Sequence, residues 1–159
     1  MSPIYIKIDG FPGEVTAKGH EDEIEVLSFS WGLSNSSSIV IGGGGGAGKA
    51  SFKDFSFTNV VHKSSPKLML ACASGQHIDN AVLTIRKAGE SPVDYLKLTF
   101  EEVFVSSFDQ AGDEGGDRPV ENLTLEFGKI EFDYTPQKDD GSLGALIPAG
   151  WDLAQNKST

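Results

Sequence analysis

The sequence contains very little cysteine and no long hydrophobic run. Cys72 is the only cysteine among 159 residues, so disulfides within the chain are impossible and one domain spanning residues 1–159 must be held together by its core. The longest glycine-free apolar run, Leu68–Ala73, is far shorter than the ~20 residues of a membrane-spanning helix. Met1–Gly10 alternates apolar and polar residues and lacks the organisation of a secretory signal peptide. We therefore expect any export to proceed without cleavage of such a signal.

Basic residues are also scarce. The chain has 13 Lys and Arg against 23 Asp and Glu, a formal net charge of −10. Such a chain is repelled by phosphate backbones and by anionic membrane surfaces, which argues against nucleic-acid binding and membrane insertion. Residues 101–140 hold twelve acidic and three basic residues. A solvated acidic face is the simpler interpretation of this region, and a site for a basic partner is the alternative.

Metal-binding and catalytic patterns are lacking. His20, His62 and His77 are isolated in or near expected loops and form no helical ligand pair, which argues against zinc. The acidic stretch Asp109–Asp117 does not have the spacing of a calcium-binding EF-hand loop. No nucleophile-elbow motif is present. Cys72 lies on the apolar face of a predicted helix and is interpreted as a packing residue. The sequence therefore predicts no catalytic, metal or cofactor site.

One glycine-rich segment resembles a phosphate-binding loop. Gly43–Lys49 matches the G-x-x-x-x-G-K pattern, but Ala50 stands where magnesium binding requires Ser or Thr. The sequence that follows is strand-like, whereas phosphate binding needs a helix N-terminus there. The whole Ser34–Gly48 segment is interpreted as a long loop between two strands, flexible or ordered by a partner. A nucleotide enzyme built on this loop is kept only as a rival hypothesis.

The dominant hydrophobic period is two, which predicts β-strands. Several strands change phase midway, as at Leu27, and between Phe127 and Ile130, where Gly128 lies at the break. Such slips indicate bulges or sharp bends, and long bent strands favour a small barrel or two packed sheets over a flat sheet. No βαβ alternation is present, so a parallel α/β fold is not expected.

One helix is predicted over about residues 64–75. Ser64 or Ser65 can cap its N-terminus, Pro66 suits the first turn, and Gly75 suits a left-handed C-terminal cap. Its apolar residues share one face and should dock on the sheet, because about three turns are not stable alone. That predicted face consists of Leu68, Met69, Cys72 and Ala73.

At Glu23–Gly32 the sequence resembles the Hcp family, the haemolysin-coregulated tube proteins of bacterial type VI secretion. Other blocks match in the same order, and the resemblance spans roughly residues 3–157. These blocks are Ile4–Ile8, Gly42–Lys49 with Phe55–Thr58, Leu70–Gly75 with His77, Leu83–Gly89, Tyr95–Leu96 with Val103–Ser107, Glu121–Leu125, Tyr134–Gln137 and Gly150–Leu153.

The resemblance implies a β-barrel whose hexameric rings stack into a hollow tube. Pattern and resemblance together predict a mainly β fold, a small β-barrel of two tightly packed, strongly curved antiparallel sheets with one short flanking helix. By resemblance the partners are other copies of the chain, a contractile sheath, a spike protein and effectors carried in the lumen. The protein would be made in the bacterial cytoplasm and exported through type VI secretion. No reaction and no cofactor are implied.

Three groups of residues are predicted to have roles in the subunit core, the lumen and the stacking of rings. Leu27, Phe29 and Trp31 should be core anchors, because large apolar side chains on one strand face are best buried. Ser28 and Ser30 then point the other way, where they could line the lumen or an ordinary exterior. The glycine-rich loop is expected to reach the adjacent ring, and its residues are Gly42, Gly43, Gly44, Gly45, Gly46, Ala47, Gly48 and Lys49.

The main alternative function is a monomeric β-barrel that binds a small ligand or sugar. The mass of the protein in solution distinguishes a ring from such a monomer.

Overall fold

The computed structural model describes residues 2–36, 49–87, 89 and 91–159. Most of the predicted ring-stacking loop, Gly42–Gly48, lies outside these residues, and Lys49 is the exposed residue at its described end.

Nine strands and one helix make up the described part of the chain. In order they are β1 (Ile4–Ile8), β2 (Ile24–Val26), β3 (Ser28–Asn35), β4 (Ala50–Val60), α1 (Ser65–Ser74), β5 (Ile78–Lys87), β6 (Val93–Ala111), β7 (Val120–Tyr134), β8 (Ile147–Asp152) and β9 (Lys157–Ser158).

All strand pairs are antiparallel, and the hydrogen-bonded order is β2-β1-β5-β6-β7-β4-β3. Strand β7 pairs with β4 through its first residues and with β8 through its last residues. Strand β9 pairs with β8. The prediction of a mainly β fold with one short helix is confirmed. The described strands form one nine-stranded sheet whose pairing follows an open path. The sequence predicts two packed sheets instead.

The core is built largely from the inward side chains of the long strands. Phe55, Phe57 and Phe100 are fully enclosed. The ring of Phe100 lies 4.7 Å from that of Phe55 and 4.9 Å from that of Phe127, measured between centroids. These aromatic contacts join β4, β6 and β7 into one packed centre, because tilted ring pairs at such distances are favourable.

The predicted phase change in β7 is present, and β6 changes phase at the position that faces it. Phe100 pairs with Ile130 and Val103 pairs with Phe127, so the register is kept while both strands invert their inward faces. Glu102 stands at the inversion with φ 55°, and Gly128 packs against it so closely that a Cβ on Gly128 would lie 3.0 Å from the Glu102 Cβ. The bend therefore depends on the pair Glu102 and Gly128.

A second bend lies at Leu27, between β2 and β3. The Ile24–Asn35 segment pairs with β1 through its first residues and with β4 through its later ones. Between these two parts, the Leu27 N–H donates to the Thr58 carbonyl oxygen at 2.8 Å. Leu27 itself is 52% exposed, so its prediction as a core anchor was wrong. The chain turns at this residue, and the inward phase resumes only at Phe29. Phe29 and Trp31 are half-buried and pack against the core.

Helix α1 begins after Ser64 and ends at a left-handed Gly75 with φ 67°. Ser64 occupies the N-cap position without making a side-chain cap bond. The predicted apolar face was partly wrong, because Met69 and Ala73 are exposed. The helix instead buries Ser65, Leu68 and Ala71, with Cys72 half-buried beside them. It packs on β6.

Candidate functional site: a hydroxyl-lined face of the sheet

The outer face of β3, β4 and β7 is lined by small uncharged polar side chains. One cross-strand row contains Ser28, Thr58 and Asn122, and a neighbouring row contains Ser30, Ser56 and Thr124. Successive side chains of a strand point to opposite faces, and the intervening Phe57 and Leu123 are buried in the core. The sequence pattern that buries these apolar residues therefore also places the hydroxyls outside.

Hydrogen bonds across the strands order this hydroxyl face, which we define as Ser28, Ser30, Ser56, Thr58, Asn122 and Thr124. The Oγ of Ser28 lies 2.6 Å from Oγ1 of Thr58, and the Oγ of Ser56 lies 3.1 Å from Oγ1 of Thr124. Cross-strand hydroxyl pairs of this kind stabilise a sheet and hold each side chain in one orientation. The result is an ordered surface that can both donate and accept hydrogen bonds.

Charged residues lie at the border of the hydroxyl face. Asp109 follows Asn122 along the first row, and Glu126 lies two residues beyond Thr124 on β7. None of the three histidines, all of which are described, makes a hydrogen bond to these hydroxyls. His20 contacts Glu23 and Asp94, His62 accepts from the Ser64 N–H, and His77 contacts Glu102. The hydroxyls pair with one another across the strands, so the face offers hydrogen-bond donors and acceptors to a contacting surface.

A buried polar network lies under the end of the sheet, and sequence reasoning missed it. Glu121 is fully buried, and its carboxylate accepts hydrogen bonds from Asn59 (3.1 Å), Ser65 (2.7 Å) and Gln110 (2.7 Å). These bonds satisfy the buried carboxyl oxygens and tie α1 to β4, β6 and β7. Glu121 shares the inward phase of Leu123 and Leu125, and a carboxylate at an apolar position was the signal available in the sequence.

A second polar cluster fastens the loop before β2 to the sheet. His20 Nδ1 lies 2.8 Å from a Glu23 carboxylate oxygen, and its Nε2 lies 3.0 Å from Asp94, which also accepts from Arg86 at 2.9 Å. The His20 ring stacks on Tyr5 at 4.7 Å between centroids. Burial alone would raise the pKa of Asp94, but hydrogen bonds from Arg86 and His20 outweigh it and hold that pKa below its ordinary value. His20 forms no helical ligand pair, and the fold brings Asp94 and Arg86 to it.

The other predicted site residues are dispersed. Ser28 and Ser30 are exposed on the hydroxyl face, while Lys49 lies at the far end of the β3–β4 connection. The acidic stretch Gly112–Asp117 is exposed at the tip of the β6–β7 hairpin. Within the described ranges, no group of three or more His, Cys, Asp or Glu side chains is arranged to hold a metal ion. The same residues include no helix long and apolar enough to cross a membrane.

The sequence of residues 5–134 matches the family model described as "Type VI secretion system effector, Hcp". Protein hcp1 of Pseudomonas aeruginosa is 50% identical over 155 residues, which cover 96% of each chain. The chain belongs to the Hcp family. As a member of this family it is a structural tube protein of type VI secretion.

Solved structures agree with this membership. A type six secretion system protein superposes with a TM-score of 0.93 at 33% identity over 100% of both chains. Hcp1 from Salmonella typhimurium superposes with a TM-score of 0.84 at 35% identity over 99% of both chains. A type VI secretion system effector from Yersinia pestis gives a TM-score of 0.77 at 34% identity, covering 94% of this chain and 98% of that one. Nothing in these comparisons supports the alternative of a monomeric ligand-binding barrel.

Proposed function

We propose that this chain forms hexameric rings that stack into the inner tube of a type VI secretion system, with the hydroxyl face lining the lumen. The observation that favours this placement is the ordered, uncharged character of the face in a chain of net charge −10. A lumen of neutral hydroxyls can form many weak hydrogen bonds with varied cargo, and it neither repels acidic cargo nor traps basic cargo.

The ring itself is tested by the mass of the purified protein in solution together with negative-stain images. We expect a hexameric mass and annular particles. A monomeric mass at every concentration, without annular particles, would contradict the proposal.

The direction of the hydroxyl face is tested by labelling. In a Cys72→Ser background, Ser30→Cys should react in assembled tubes with a small maleimide but resist a maleimide on a polymer too wide for the lumen. Ser91→Cys is the matched control, because Ser91 is also an exposed serine but lies outside the hydroxyl face, and it is expected to react with both reagents. Equal reaction of Ser30→Cys with both reagents would place the hydroxyl face outside the tube.

The glycine-rich loop Gly42–Lys49 is proposed to contact the adjacent ring. Glycines allow close approach of two backbones, and a loop with little apolar content gains little by packing on its own subunit. Deleting Gly43–Gly46 should leave the hexamer intact and weaken stacking. Tubes as long and abundant as those of the wild type in electron micrographs would show that the loop is only a connector.

The remaining parts of the proposal concern the subunit and its cell biology. The sheet curls as a barrel within one domain of residues 1–159, which is supported by the pairing of the Ile24–Asn35 segment with β1 and then β4. Sheath, spike protein and effectors are the proposed partners. The protein is proposed to be made in the cytoplasm, exported without a signal peptide, and to act without catalysis or a cofactor.

A further inference from the structure

An exposed apolar segment follows the turn after β7. Leu143–Ala149 contains no charged or hydrogen-bonding side chain, and Leu143, Leu146 and Ile147 are 41%, 56% and 57% exposed. Tyr134, which pairs with Ile147, is exposed beside it. A run of exposed apolar side chains beside an exposed aromatic ring is a candidate interaction surface.

The turn before this apolar segment is held by its own hydrogen bonds. The N–H of Gly144 donates to the Pro136 carbonyl oxygen at 2.6 Å, and the Lys138 N–H donates to the Ser142 carbonyl oxygen at 2.7 Å. Asp140 accepts from both the N–H and the hydroxyl of Ser142. The apolar side chains are thus presented in a fixed shape, which lowers the entropic cost of binding.

A partly apolar cleft lies at the other end of β7. It has a volume of about 190 Å³, and its walls include the exposed Leu27 together with Val15, Ile24, Val60 and Val61. Its remaining lining residues are Glu14, Glu25, His62 and Arg118. We refer to it as the Leu27 cleft. Its volume suits one or two protein side chains better than a drug-sized ligand.

The Leu27 cleft also contains an unpaired hydrogen-bond donor. His62 Nδ1 accepts from the Ser64 N–H at 3.2 Å, so the neutral ring carries its proton on Nε2. That Nε2 is buried and has no partner among the described residues. The atom is closed off from solvent, so the docking of a partner depends on the apolar walls of the cleft and not on this donor.

We propose that the Leu143–Ala149 segment of one subunit docks in the Leu27 cleft of the next. This proposal rests on the hexameric ring proposed above. The two surfaces are different patches near opposite ends of the 15-residue β7, so a contact between them is head-to-tail, the type that forms a ring when the rotation between subunits closes. Copies of net charge −10 repel one another, so the contact is best made by a segment without charge. The borders are compatible, because Lys138–Asp140 and the cleft residues Glu14, Glu25 and Arg118 each carry both signs.

Pro148 specifies how the segment docks. It lies on the edge of β8 and has no N–H to donate, so strand addition along this edge is blocked. Contact through the side chains of Leu146 and Ile147 is the remaining mode.

The test uses two single variants and their mixture. Leu146→Asp removes the apolar segment and Leu27→Asp removes the cleft, and each should have the mass of a monomer with a wild-type circular dichroism spectrum. Mixed in equal amounts, they should form a two-chain complex, because one intact segment then meets one intact cleft while the ring cannot close. Leu70→Asp, at another exposed apolar residue on α1, is the matched control and should retain the wild-type mass.

Each outcome decides a different point. A wild-type monomer overturns the ring proposal itself. A wild-type ring with variants that still form rings overturns only the docking of these two surfaces, as does a mixture that stays monomeric. Should an Asp variant fail to fold, Leu27→Cys combined with Leu146→Cys in a Cys72→Ser background gives a second test. Oxidation should then produce a ladder of crosslinked chains, and its absence from a folded, ring-forming protein overturns the docking.

Discussion

Glu102 is a non-glycine residue in a left-handed conformation, with φ 55° in the middle of β6. A Cβ in this region costs about 1–2 kcal/mol, which glycine avoids. We therefore expect Glu102→Gly to be more stable than Glu102→Ala by about 1 kcal/mol in urea unfolding at matched protein concentration. Both variants lose the exposed contact to His77 equally.

Glu101 provides the internal control, because it lies next to Glu102 and outside the left-handed region. There Ala should be the more stable replacement by about 0.5–1 kcal/mol, as is usual inside a strand. The same order of Gly and Ala at both positions would show that Glu102 stores no backbone strain.

The burial of His62 should make the free energy of unfolding depend on pH. Burial lowers the pKa of His62 below its ordinary 6.5, with a smaller contribution from Arg118, against the opposing effect of Glu121 and Glu14. As the pH falls below 6.5, the unfolded chain binds a proton at His62 that the folded chain resists. The free energy of unfolding therefore falls in that window. His62→Gln should flatten the dependence between about pH 7 and 5.

Asp94 serves as the control for that measurement, since its effect belongs to a different window. Its lowered pKa contributes stability that is present above 3.8 and lost as the pH falls further. Asp94→Asn should reduce the loss of stability below pH 3.8, a window separate from that of His62. An unchanged slope in His62→Gln would mean that His62 is not held neutral by the fold.

At the scale of elements, helix α1 depends on the way it ends. Gly75 has φ 67°, and a Cβ there would meet no atom within 4 Å. The cost of Gly75→Ala is therefore conformational strain alone, about 1 kcal/mol. Gly112→Ala is the control, because Gly112 has no positive φ and only ordinary contacts to Pro119. Thermal unfolding should show a lower midpoint for the first variant only.

Strands β6 and β7 show which features a sequence can predict. The inward residues on both sides of the bend follow a period of two, and Gly128 marks the inversion, so the phase change was predictable. The exposure of Leu27 was not predictable, because Val26 and Leu27 are adjacent apolar residues. Which of them lies at the turn is seen only in the structure, where the Leu27 N–H bonds to Thr58. The hydroxyl face was predicted for Ser28 and Ser30, whereas its extension over β4 and β7 needed the strand register.

At the scale of the whole molecule, the features that sequence reasoning missed depend on tertiary contacts. Asp94 is far from His20 in sequence, and Ser65 and Glu121 belong to different elements. The exposure of the Leu143–Ala149 segment also depends on tertiary structure. The segment is exposed because the turn at Pro136–Gly144 leads it along the outer edge of β7, where nothing else in the described chain covers it.

Net charge makes the response of assembly to salt informative. Subunits of net charge −10 repel one another, and salt screens this repulsion, with a Debye length of about 30 Å at 0.01 M and about 3 Å at 1 M. If apolar docking joins the subunits, the ring fraction at fixed protein concentration should rise with sodium chloride across this range, as measured by analytical ultracentrifugation. If ion pairs were the main contact, screening would weaken them and the ring fraction would fall. Asp113→Asn combined with Asp117→Asn, at the exposed hairpin tip, removes two negative charges without touching either proposed surface, and the smaller repulsion should make assembly less dependent on salt.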